Sequence, residues 1–120
     1  MPTCTDGPAT LNICYYPGSE LARKGAYSVT DLNGNPVNLS GVELEMQVKY
    51  KPEDPLSAVV IRLRTTDGTL TVGGVNNNEV TLHGVHQVDE HNYYHDLLRK
   101  DIPEYVWEGR FIASKNTTRN

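Results

Sequence analysis

The most constraining feature of the chain is a stretch from Val42 to Tyr50 in which apolar and polar side chains alternate without a break. A β-strand places successive side chains on opposite faces, so this period fits a strand with one buried and one solvated face. A helix turns by about 100° per residue and would spread the apolar side chains around its circumference. We therefore predict a strand over 42–50, with Glu43 and Glu45 on the solvated side of its sheet.

Turn residues recur along the rest of the chain, and the short runs between them are rich in β-branched and aromatic side chains. Further strands are predicted at 11–16, 22–30, 58–65, 69–72, 79–83, 93–98 and 106–114. Asp67-Gly68 separates two of these runs directly, which predicts a tight hairpin. The segment from Val85 to Tyr93 is predicted as a loop or a single helical turn. About eight short strands with little or no helix indicate an all-β fold, an antiparallel β-sandwich, with a small barrel as the alternative.

Length and composition bound the domain organisation. The 120 residues suit one domain, and a hydrophobic fraction of 38% predicts a thin core that gains stability from subunit packing. We therefore expect a homo-oligomer. The predicted organisation is an N-terminal arm over 1–9, a β-sandwich domain over 10–114 and a C-terminal tail over 115–120. The arms are hypothesised to become ordered only beside a neighbouring subunit.

Charge, hydrophobic patterning and cysteine content bear on the partners and the location of the chain. The formal net charge is −4 and the basic residues are scattered, so we expect no nucleic-acid partner. No run approaches the roughly 20 apolar residues of a membrane span, and the N-terminus lacks the pattern of a signal peptide, so we expect neither membrane insertion nor secretion. Cys4 and Cys14 are interpreted as reduced thiols, with a disulfide between them as the alternative.

All four histidines fall between positions 83 and 95, as His83, His86, His91 and His95, with acidic residues among them. Such a cluster raises the question of a metal site. On a strand, His91 and His95 share a face but lie roughly 13 Å apart, which is too far for one ion. We predict solvated or interfacial histidines and no bound metal, and a site completed across a loop by His83 or His86 is the alternative.

Motifs of catalysis are missing from the sequence. It contains no Gly-x-Ser-x-Gly elbow, no glycine-rich phosphate loop before a helix and no His-Glu-x-x-His. The acid pairs Glu43/Glu45 and Asp89/Glu90 are of the residue type that serves glycoside hydrolysis, but Glu43 and Glu45 are interpreted as the solvated face of one strand. We predict no enzyme activity, no catalytic residue and no cofactor. Large amphipathic rings suit contact surfaces, and the candidate contact residues are Tyr15, Tyr16, Tyr27, Tyr94 and Tyr105.

Three polar or small residues have structural interpretations. Gly41 is expected to let the chain enter the alternating strand at a sharp angle. Asp96 is expected to accept a hydrogen bond from a neighbouring turn, and Gly109, near Trp107, to form a bulge or relieve crowding.

The order of several segments resembles a pattern in small virion proteins of tailed phages. Residues 31–41, DLNGNPVNLSG, lead into the alternating strand, where those proteins have D-G-x-P-x-D-L-T-G before a strand ending Q-V-R. Tyr93 to Leu97 stands where those proteins have Y-x-Y-D-L, with His95 in place of the second aromatic residue. Val106 to Ile112 stands where they have L-x-G-x-F-x-V. A closing T-R stands at Thr118-Arg119, so the resemblance runs from about Gly18 to Arg119.

This resemblance implies an immunoglobulin-like β-sandwich that serves as a structural part of the virion, in the tail, neck or baseplate. It implies other phage virion proteins as partners, the virion as location and no enzymatic activity. Two alternatives remain open on the residues: a capsid decoration or cement protein, and a β-sandwich module that binds carbohydrate or a receptor.

Overall fold

Short strands form most of the regular structure in the computed structural model, which describes residues 9–115. The strands are β1 (Ala9–Thr10), β2 (Ile13–Tyr15), β3 (Ala26–Ser28), β4 (Leu44–Lys49), β5 (Ile61–Arg64), β6 (Leu70–Gly73), β7 (Glu79–Leu82), β8 (His91–Arg99) and β9 (Glu104–Ala113). Short 3₁₀ helices cover Leu21–Lys24, Leu56–Ala58 and Thr65–Asp67. Most of the predicted N-terminal arm and C-terminal tail lies outside the described residues, although Ala9 already belongs to β1.

The strands form two sheets. The larger has six strands in the order β1-β9-β8-β4-β5, with β2 also on β9, and the smaller has the order β3-β7-β6. Apolar side chains of both sheets form one buried core, which includes Leu44, Met46 and Val48 of β4 and Val80 and Leu82 of β7. The prediction of an all-β fold with two packed sheets and little helix is confirmed.

The first two strands correct the expectation of purely antiparallel pairing, because both run parallel to β9. Ile13 lies opposite Phe111, and Tyr15 opposite Ala113. Between β1 and β2 the main chain crosses Gly109 so closely that an added Cβ would lie 2.1 Å from the carbonyl oxygen of Leu11. The predicted role of Gly109 in relieving crowding is confirmed, and the group it accommodates is main chain.

The predicted Asp67-Gly68 hairpin is wrong. The strand before this turn, β5, is an edge of the large sheet, whereas β6 is an edge of the small sheet. The 3₁₀ helix Thr65–Asp67 and the left-handed Gly68 (φ 82°) carry the chain from one sheet to the other. The N–H of Arg64 donates to Oγ1 of Thr69 across this corner at 2.7 Å. The hairpin that does form joins β6 and β7.

Two predicted strands begin too early, because a 3₁₀ helix occupies their first residues. The strand predicted at 22–30 is reduced to β3, after the helix Leu21–Lys24. Glu20 stabilises this helix start by accepting hydrogen bonds from the N–H of Ala22 (2.9 Å) and of Gly84 (2.7 Å). The strand predicted at 58–65 is β5, preceded by the helix Leu56–Ala58. Among residues 9–115, no helix is long and apolar enough to cross a membrane.

Candidate functional site: the outer face of the six-stranded sheet

The face of the large sheet that points away from the core carries a dense set of charged and aromatic side chains. We call it the outer face, and it consists of Glu45, Gln47 and Lys49 of β4, Arg62 of β5, Tyr94, Asp96 and Leu98 of β8, Lys100, and Tyr105, Glu108 and Arg110 of β9. Strand register places Gln47 opposite both Arg62 and Asp96, and Asp96 opposite Glu108. Four polar side chains therefore form a row across the sheet.

Glu45 is the most buried member of the outer face, and the prediction that it is solvated is wrong. Only 4% of Glu45 is exposed. Nε and Nη2 of Arg62 donate to its two carboxylate oxygens at 2.8 and 3.1 Å, and Nζ of Lys100 lies 2.8 Å from Oε1. The side-chain amide of Gln47 donates to Oε2 at 2.6 Å. Long side chains from neighbouring strands thus cover a carboxylate that strand alternation points toward water.

This network fixes the charge of Glu45. Burial opposes ionisation, but the hydrogen bonds from Arg62, Lys100 and Gln47 outweigh it and lower the pKa of Glu45 to about 2. A carboxylate paired with a bidentate guanidinium is held in one geometry. Glu45 is therefore a rigid anion that holds two cations in place.

Asp96 lies in the middle of the outer face and has the opposite character. Its carboxylate accepts no hydrogen bond from the described residues, so the expected bond from a neighbouring turn is absent there. Its nearest cation is Nζ of Lys49, at 3.9 Å. Burial raises the pKa of Asp96 most, and the nearby carboxylates of Glu108 and Glu45 raise it further against the opposing effect of Lys49. Asp96 is thus a half-buried carboxylate, 21% exposed at its side chain, with one long ion pair and no hydrogen-bond donor among residues 9–115.

Cations on either side of Asp96 are held by neighbours. The guanidinium of Arg110 lies 3.8 Å from the centre of the Tyr94 ring, a cation–π contact that fixes both side chains. Nζ of Lys49 also donates to the carbonyl of Pro52 at 3.3 Å, which restrains this largely buried lysine. The outer face therefore presents charges in fixed positions.

Two shallow depressions meet at Asp96, which lines both. One has a volume of about 260 Å³ and is lined by Glu45, Gln47, Leu56, Arg62, Asp96, Leu98, Lys100 and Tyr105. The other has a volume of about 330 Å³ and is lined by Thr10, Asn12, Lys49, Pro52, Tyr94, His95, Asp96, Glu108, Gly109 and Arg110. Leu56 and Tyr105 give the first an apolar rim, because they are 52% and 50% exposed.

The structure brings only two of the five candidate contact tyrosines onto this face, Tyr94 and Tyr105. Tyr16 is 40% exposed and lies by the loop that follows β2. Tyr27 is half-buried and packs edge-on against Trp107. Tyr15 is instead a core residue, 1% exposed, whose hydroxyl bonds to main-chain groups of Ser19 and His86.

The four histidines are dispersed among different environments. His95 is buried and donates from Nε2 to the carbonyl of Leu11 at 2.6 Å, and burial lowers its pKa. This position corrects the expectation of a solvated or interfacial residue. His91 packs edge-on against Tyr50. His83 bonds to Thr71 on the small sheet through Nε2 and Oγ1, and His86 lies in the following loop.

Within residues 9–115, no three side chains of His, Cys, Asp or Glu are placed to hold one metal ion. Cys14 is an exposed thiol on β2, and Cys4 lies outside the described residues. The interpretation of both as reduced thiols, with a disulfide between them as the alternative, therefore stays a prediction.

The chemistry of the outer face suits recognition of a polar, folded surface. Protein interfaces are enriched in Tyr and Arg and have a polar rim, so the exposed rings suit a contact area and the other charged groups suit its rim. Sequence reasoning missed Glu45 and Asp96 because alternation assigns a residue to a face but does not say which strands lie beside it. The sequence does not show that β5 pairs with β4, and this pairing is what brings Arg62 beside Glu45.

We compared the chain with protein-family models, curated proteins and solved structures, and found no match.

Proposed function

We propose that this chain is a structural component of a tailed-phage virion, in the tail, neck or baseplate, that docks neighbouring virion proteins through the outer face of its six-stranded sheet. We extend this proposal to the fold, whose two-sheet architecture is proposed to be immunoglobulin-like. The chain acts as a multi-copy assembly module and has no catalytic role in this proposal.

The observation that carries the proposal is the state of Asp96. The half-buried carboxylate of Asp96 receives no hydrogen bond from residues 9–115, so a partner that supplies donors would stabilise it. Exposed Leu56 and Tyr105 stand on the rim of the adjoining depression and offer apolar contact area. A partner surface with a lysine or arginine between small apolar groups fits this arrangement.

The sequence resemblance supplies the biological setting of the proposal. The segment 31–41 precedes β4, Tyr93 to Leu97 lies within β8, and Val106 to Ile112 lies within β9. Two of these three segments therefore contribute side chains to the outer face. The resemblance and the candidate interface thus involve the same strands.

Cross-linking of intact phage particles that carry the chain tests this proposal. We expect lysine-specific cross-links from Lys100, on the outer face, to a different virion protein. Lys24, the last residue of the 3₁₀ helix before β3, serves as a control that forms fewer such links. Absence of the chain from purified particles would refute the proposed setting, and cross-links to other proteins that avoid Lys100 would refute the docking face.

Copy number in the same particles separates the leading proposal from the capsid alternative. Tens of copies or fewer agree with a tail, neck or baseplate position, whereas hundreds of copies would indicate a capsid decoration or cement protein. A module for carbohydrate or receptor binding is the further alternative. Specific binding of the purified chain to glycans would favour that alternative over docking.

A further inference from the structure

The small sheet has an edge whose main-chain groups are arranged for pairing with another strand. Directly beyond the paired ends of β3 and β7, and in the same register, the N–H of Val29 donates to the carbonyl of Asn78 at 2.8 Å. Alternate residues of a strand direct their main-chain groups to the same side, so Tyr27 also faces β7. The N–H and C=O groups of Ala26 and Ser28 therefore point to the open edge.

These four groups are accessible and unpaired. Ala26 and Ser28 are both exposed. On the open side, their N–H and C=O groups form no hydrogen bond with any of residues 9–115. Their side chains are small and point to the solvated face of the small sheet. Nothing on β3 itself therefore obstructs an incoming strand.

Two other edges, β5 and β2, differ in ways that oppose pairing. At β5, the Arg64 N–H is already bonded to Thr69, and the exposed strand residue is the charged Arg62. At β2, Nζ of Lys24 already donates a hydrogen bond to the carbonyl of Cys14 at 2.5 Å. Proteins commonly protect edge strands with such charges, and β3 carries neither a charge nor a proline.

We propose that β3 pairs antiparallel with β3 of a second copy of this chain, around a two-fold axis through Tyr27. In this register Ala26 of each copy lies opposite Ser28 of the other. The four edge groups of each copy then pair with those of the second copy, and the two small sheets become one continuous six-stranded sheet. This interface is independent of the outer face and of the proposed function.

Charge at the two ends of β3 favours a second copy as the occupant. Arg23 precedes the strand, is exposed and forms no ion pair within residues 9–115. Asp31 follows the strand, is exposed, and uses Oδ1 for the N–H groups of Asn33 and Asn35. Antiparallel pairing brings the basic end of one strand to the acidic end of the other, which makes the edge complementary to itself.

The contact is short, so association of the free chain is weak. A three-residue edge buries much less area than a stable dimer interface. We expect a dissociation constant on the order of 100 µM. Such an interface becomes fully populated where copies are concentrated within an assembly.

Cysteine cross-linking tests both the partner and the register. In a full chain with Cys4→Ser and Cys14→Ser, one preparation carries Ala26→Cys and another carries Ser28→Cys. Mixing them under mild oxidation should give disulfide-linked dimers that join position 26 to position 28, at least 5-fold more than either preparation alone. Thr71→Cys, on the solvated face of β6, is the matched control and should not cross-link above background.

Sedimentation of the unmodified chain over a concentration series provides a second readout. We expect reversible dimerisation that Arg23→Glu weakens about 10-fold at low salt and Arg23→Lys preserves. A chain that stays monomeric and fails to form the mixed cross-link would overturn the proposal. So would equal cross-linking in the separate preparations, or capture of an unrelated extended peptide by an edge that does not self-associate.

Discussion

At the scale of single residues, Glu45 shows how an ordinary carboxylate becomes part of the stability of the fold. It is buried beneath Arg62 and Lys100, and its pKa in the folded chain is about 2, compared with 4.5 for an unperturbed glutamate. Because the folded-state pKa is depressed, this contribution is fully present above about pH 4.5 and is lost as the pH falls toward 2.

We predict that Glu45→Gln destabilises the chain at pH 7 by roughly 3 kcal/mol, and that this difference shrinks as the pH falls from 5 toward 2. Urea unfolding of the unmodified chain and of the Glu45→Gln variant at several pH values measures this difference in the free energy of unfolding. Glu43→Gln is the control, because Glu43 is about half exposed and pairs with the same Lys100 at 3.3 Å. A difference that does not depend on pH would contradict the assignment.

Gly109 gives a second prediction at this scale. Gly109→Ala places a Cβ against the carbonyl oxygen of Leu11, so the chain crossing must shift, and we expect a loss of about 3 kcal/mol. Gly73→Ala is the matched control, because Gly73 lies in β6 with open space at its Cβ and no positive φ. Thermal unfolding compares them, and equal melting temperatures would show that the crossing is not tightly packed.

At the scale of elements, the corner between the two sheets depends on Thr69. Its hydroxyl accepts the N–H of Arg64 and bonds to Oδ1 of Asp67 at 2.5 Å. We predict that Thr69→Val destabilises the chain by about 1–2 kcal/mol, because it leaves that N–H without a partner. Thr66→Val, at an exposed position of the same 3₁₀ helix, should change the free energy of unfolding by less than about 0.5 kcal/mol in urea titrations.

The elements themselves were largely predictable from the sequence. Alternation located β4 to within two residues at its start and one at its end, because only an extended chain can bury all its apolar side chains on one side. The same reasoning failed at Asp67-Gly68. Turn chemistry specifies where a chain reverses or bends, but it does not specify whether the flanking strands pair or belong to different sheets.

Pairing order limited the prediction of the candidate site in the same way. Glu45 and Arg62 are 17 residues apart, and nothing local states that β5 lies beside β4. The strands β2 and β9 also lie side by side although nearly the whole chain separates them in sequence. The N–H of Arg110 donates to the side chain of Asn12, 98 residues earlier. Such long-range pairing follows from packing the whole core and not from local pattern.

At the scale of the whole molecule, the proposed docking face predicts an asymmetry between two exposed tyrosines. Tyr105 lies on the outer face and Tyr16 does not, although their exposed fractions are similar. Tyr105→Ala should reduce incorporation of the chain into particles about 10-fold, as expected for an interface aromatic. Tyr16→Ala is the control and should leave incorporation unchanged.

Quantitative mass spectrometry of purified particles measures this difference, after circular dichroism has shown that both variants fold. Equal incorporation of the two variants would contradict docking through the outer face. Reduced incorporation of the Tyr16→Ala variant alone would indicate that the interface lies at the loop that follows β2.

The parallel arrangement of β2 and β9 has a mechanical consequence. The described chain begins with β1, which like β2 runs parallel to β9, and it ends just after β9. A force that separates residue 9 from residue 115 therefore acts on the paired strands in opposite directions. Under this load the hydrogen bonds that join them are sheared together, whereas the bonds of a hairpin pulled at its open end break one after another. The module is therefore built to resist stretching along its own chain axis.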